Sequence, residues 1–138
     1  MSTTTAVAGI AVRKGAAGQD STLHILEVGV RVTGTYATAS KPHFDLAAAL
    51  EEARKVGITS VSVKSVTLVR DGNDGTDRYT IPNSEIVLSG TGNKVITFAI
   101  DSGATEGDDG AEIADSTVLA HTFSLAIVAA ITSINGGV

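Results

Sequence analysis

The chain has 138 residues and carries 15 Asp and Glu against 10 Lys and Arg, a net charge of −5, with 43% hydrophobic and only 4% aromatic residues. The length suits a single domain that buries its core unaided. The acidity opposes binding to a nucleic-acid backbone, and the lack of cysteine excludes disulfides, zinc–thiolate sites, iron–sulfur clusters and a thiol nucleophile.

Val, Ile, Leu and Ala must therefore build the core, and the remainder is rich in Thr, Ser and Gly. That mixture predicts a mainly β fold, a β-sandwich of jelly-roll or Greek-key type with one short α-helix at about 46–56. Residues 1–20, MSTTTAVAGIAVRKGAAGQD, are small and polar, with no basic start followed by an unbroken apolar stretch. They read as a flexible N-terminal arm ahead of one β-sandwich domain over 21–138, with no secretory leader. Thr5, Ala6, Val7, Ile10 and Val12 are its candidate partner-binding residues, ordering on a neighbouring subunit.

From Leu23 to Thr33, Leu26, Val28, Val30 and Val32 alternate with Glu27, Gly29, Arg31 and Thr33, which predicts a strand with one buried face. Asp45 then stands as an N-cap before Leu46–Lys55, with Gly57 as the expected C-cap and Leu46, Leu50, Ala53 and Val56 as the apolar stripe. Ser60–Arg70 is a strand whose buried face switches near Lys64–Ser65, as a bulge would cause. Asp71–Asp77 is dense in turn residues and joins it to Arg78–Ile81 as a hairpin with a loop longer than the tightest type. Glu85–Leu88 and Lys94–Ile100 are two further short strands. The last strand, Leu119–Ile131, is weakly polar on both faces, which suggests central burial or an intersubunit face. Phe123, Leu125 and Ile127 on it complete the set of candidate partner-binding residues. Polar residues interrupt its apolar run, which is shorter than the roughly 20 residues needed to span a bilayer, so no membrane partner is expected.

Chemistry is sparse. Asp71–Asp77 begins like a calcium loop, but Thr76 stands where a glycine is required and Pro82 where a bidentate glutamate is required. Asp101–Asp115 holds Asp101, Glu106, Asp108, Asp109, Glu112 and Asp115 and no base; it reads as a solvated loop, or as a surface for a basic partner or a loosely held divalent cation. His24, His43 and His121 have no metal-ligand spacing, and there is no nucleophile elbow or phosphate loop. No catalytic, cofactor-binding or metal residue is assigned, and no enzymatic activity is expected.

The stretch Val30-Arg-Val-Thr-Gly-Thr-Tyr-Ala-Thr38, followed by Phe44-Asp-Leu46, resembles a pattern in small virion proteins of tailed bacteriophages. The resemblance implies a head decoration or cement protein, a small jelly-roll structural protein without catalytic residues. It would bind the major capsid protein on the outer surface of the virion, associate with itself as a homodimer or homotrimer, and be made in the host cytoplasm. The alternatives are a tail-tube or fibre-associated virion protein, or a carbohydrate- or calcium-binding β-sandwich module.

Overall fold

The computed structural model describes residues 3–13, 23–55, 57–74, 77–102 and 110–133. It opens on an edge strand, β1 (Thr3–Arg13), paired antiparallel with β2 (Leu23–Thr35). The expected arm is thereby corrected. Val7, Ile10 and Val12 pack against the core, so this segment belongs to the sheet, while 14–20 lie outside the described residues. The strand escaped a period-two reading because the register jumps between Val7 and Gly9. Ala8 is the extra residue of a bulge, so the inward positions run Thr5, Val7, Ile10, Val12.

After β2 come β3 (His43–Asp45) and α1 (Leu46–Arg54). The helix starts as expected: an Asp45 carboxylate oxygen accepts from Ala48 N at 3.1 Å. Leu46 and Leu50 are fully buried, but Ala53 is exposed and Val56 lies outside the described residues. The helix ends at Lys55, not Gly57. Lys55 takes a left-handed conformation (φ 56°, ψ 39°), and its N–H donates to Glu51 O at 2.8 Å. The Glu51 carboxylate then accepts from Ile58 N at 3.1 Å, catching the chain as it leaves.

A left-handed non-glycine cap is strained, and among the described residues the Lys55 side chain makes only an exposed ion pair with Glu52. Lys55→Gly is expected to stabilise the fold by about 0.5 kcal/mol after the entropy cost of glycine. A differential scanning calorimetry Tm raised by about 1–3 °C would show this; a lower Tm would refute it.

The chain continues with β4 (Ile58–Arg70), β5 (Gly72–Asp74) and β6 (Asp77–Thr80). Two 3₁₀ turns, Asn83–Glu85 and Thr91–Asn93, flank β7 (Val87–Ser89), and β8 (Val95–Thr97) follows. The two-residue strands β9 (Asp101–Ser102) and β10 (Ala111–Glu112) precede the longest strand, β11 (Val118–Ser133). The expected strand to Ile100 thus ends at Thr97, and Glu85 belongs to a 3₁₀ turn. The β5–β6 hairpin is tighter than the sequence suggests, because Asp74 pairs with Asp77 and only two residues intervene.

The strands form three antiparallel sheets, ordered β1-β2-β11-β4, β10-β9-β6-β5 and β3-β8-β7. The fold is mainly β with one short helix. In the large sheet, β11 pairs with β2 from Val118↔Thr35 to Ala130↔Leu23 without a slip. Against β4 its register shifts three times, leaving Val69, Lys64 and Thr59 as extra residues. The bulge at Lys64 is the face switch anticipated from the sequence, and each bulge adds local twist.

One face of this sheet carries the core. Leu26, Val28 and Val30 of β2 and Phe123, Leu125 and Ile127 of β11 are fully buried, in one cluster with Leu46 and Leu50 of α1 and Ile96, Phe98 and Ile100. Burial on this scale is worth about 1.5–3 kcal/mol for each large apolar side chain.

Candidate functional site

A candidate site lies where β1 runs beside the helix. A groove of ≈ 600 Å³ is lined on one side by Thr5–Gly9 and on the other by Phe44, Asp45, Ala48, Ala49, Glu52 and Ala53. Its walls are largely alanine because α1 turns Leu46 and Leu50 into the core. β1 is the edge of its sheet, and Thr3–Val12 contains no charged residue and no proline, the usual guards of an exposed edge. The Thr5 hydroxyl oxygen is buried without a hydrogen-bond partner among the described residues. A free edge over an apolar groove suits an added extended segment, held by main-chain hydrogen bonds.

The structure divides the expected partner-binding residues. Thr5, Ala6 and Val7 line the groove, whereas Ile10 and Val12 pack inward without lining it. Phe123, Leu125 and Ile127 are 0% exposed in the middle of the large sheet, so they are core residues and cannot meet a partner. Of the two readings open for the last strand, central burial holds for this face. The groove wall on α1 was not legible in the sequence, since Ala48 and Ala49 are the helix formers any solvated face could carry.

The acidic stretch has a structural role in its described part. Tyr36 is buried, its hydroxyl donates to a Glu112 carboxylate oxygen at 2.6 Å, and it accepts from Ile100 N at 3.3 Å. Asp115 accepts from Thr38 N at 2.7 Å, and Asp101 accepts from Gly110 N at 2.9 Å. Main-chain bonds from Tyr36 N to Thr117 O and from Ser116 N to Tyr36 O, both 2.8 Å, complete the tie between the end of β2 and the entry to β11. Glu106, Asp108 and Asp109 lie outside the described residues. The bond from Thr38 holds the Asp115 carboxyl below the ordinary range.

Burial, reinforced by the neighbouring Glu112 carboxylate, pushes the Tyr36 phenol above its ordinary value of 10.0. The unfolded chain would therefore ionise at this residue first, and stability declines as pH rises past 10.0. Tyr36→Phe is expected to cost about 1–3 kcal/mol, because Ile100 N and Glu112 lose a partner. It should also flatten the alkaline limb of the stability profile, as urea titrations at several pH values would read. An unchanged midpoint and an unchanged limb would refute this role.

Among the described residues, neither the Asp71 carboxylate nor the histidines belong to a metal site. The buried Asp71 carboxylate pairs with Arg78 Nε at 3.1 Å, so it is spent on a structural ion pair. His24 and His121 lie opposite Ala129 and Val32, which separates them by about eight residues of β2, or roughly 27 Å. His121 instead packs edge-on against Tyr79, ring centroids 4.8 Å apart. His43 is exposed on β3, and among the described residues no group of three or more His, Asp and Glu could hold a metal ion. No described helix is long and apolar enough to cross a membrane. Comparison with known proteins matched no family model, and neither a curated protein nor a solved structure was found similar to this chain.

Proposed function

We propose that this chain is a structural virion protein that docks on the outer surface of a phage capsid lattice and stabilises it, as a cement or decoration protein without enzymatic activity. The observation that carries the reading is the uncharged edge of β1 above the alanine-walled groove, a surface built to take an extended segment of a neighbour. The resemblance of Val30–Thr38 and Phe44–Leu46 to small virion proteins supports it, and those residues form the joint between β2, β3 and α1. A jelly-roll kinship with capsid-decorating domains belongs to the same proposal. On a lattice, modest affinity per contact suffices, because many contacts act at high effective concentration.

The test is co-sedimentation of the purified protein with phage capsids that lack it. Stoichiometric pelleting is expected, weakened about tenfold or more by Ala48→Arg. Ala48 is exposed on the helix, so the substitution fills the groove without entering the core. Protein that stays in the supernatant, or binding indifferent to Ala48→Arg, would overturn the reading.

A further inference from the structure

We draw no further inference here: the strongest candidate, pairing of the uncharged edge strand β1 with a second copy of the chain beside the alanine-walled groove, belongs to the site already described, and nothing in the structure shows what covers that edge.

Discussion

Gly92→Ala is expected to be the most damaging small substitution in this protein, costing at least about 3 kcal/mol. Gly92 has φ +70°, where a Cβ is itself strained by about 1–2 kcal/mol. That Cβ would also fall within the van der Waals envelope of the Val61 carbonyl oxygen, and 3.0 Å from its carbon. The obstacle is the backbone of β4, so no rotamer change relieves it. Against a total stability of about 5–15 kcal/mol, the loss is a large fraction. The readout is the urea midpoint at unchanged m-value, with Gly9→Ala as control, since a Cβ at Gly9 meets nothing within 4 Å. Equal midpoints for the two variants would refute the account.

A second large effect is expected at the contact between β5 and the central strand. A Cβ on Gly72 would stand 2.7 Å from two ring carbons of Phe123, which is 0% exposed and has no free space to yield. Gly72→Ala should cost about 2–4 kcal/mol by overpacking. Phe123→Leu alone should cost about 1–2 kcal/mol as a shape change in the core. Together they should cost less than the sum by about 1 kcal/mol or more, because the smaller side chain makes room for the new methyl. Additivity within 0.3 kcal/mol, about the error of such cycles, would mean that the ring and the glycine do not oppose each other.

Legibility in the sequence followed the length and regularity of each element. β2 and β11 were visible because alternation persists long enough to declare a buried face, and α1 because Asp45 announces its start. The bulge at Lys64 could be placed because the apolar positions change parity there. β1 was hidden by the same device, since Ala8 breaks the parity of a segment too small-chained to show it otherwise. The helix end was misplaced because glycine is the usual left-handed residue, and here Lys55 takes that conformation two positions before Gly57. β3, β9 and β10 are two or three residues long and owe their existence to partners distant in sequence, which no local pattern contains. Of the groove, the β1 half was legible as an uncharged small-residue stretch. The α1 half depends on which way the helix rolls against the core. The burial of Phe123, Leu125 and Ile127 follows from β11 taking a central place in the sheet, a matter of strand order and not of composition.

The bulges of β4 also bear on edge-wise polymerisation through the large sheet. A sheet with two open edges can add copies end to end without limit, as a fibre grows. Here the bulges at Thr59, Lys64 and Val69 break the regular presentation of peptide groups, the Asn83 side chain occupies Leu68 N at 2.8 Å, and Gly92 seals Val61 O. β4 is thus a blunted edge of the large sheet and β1 its open edge. A copy joined through β1 would present a blunted β4 on its far side, so the large sheet by itself offers no route to unlimited edge-wise growth.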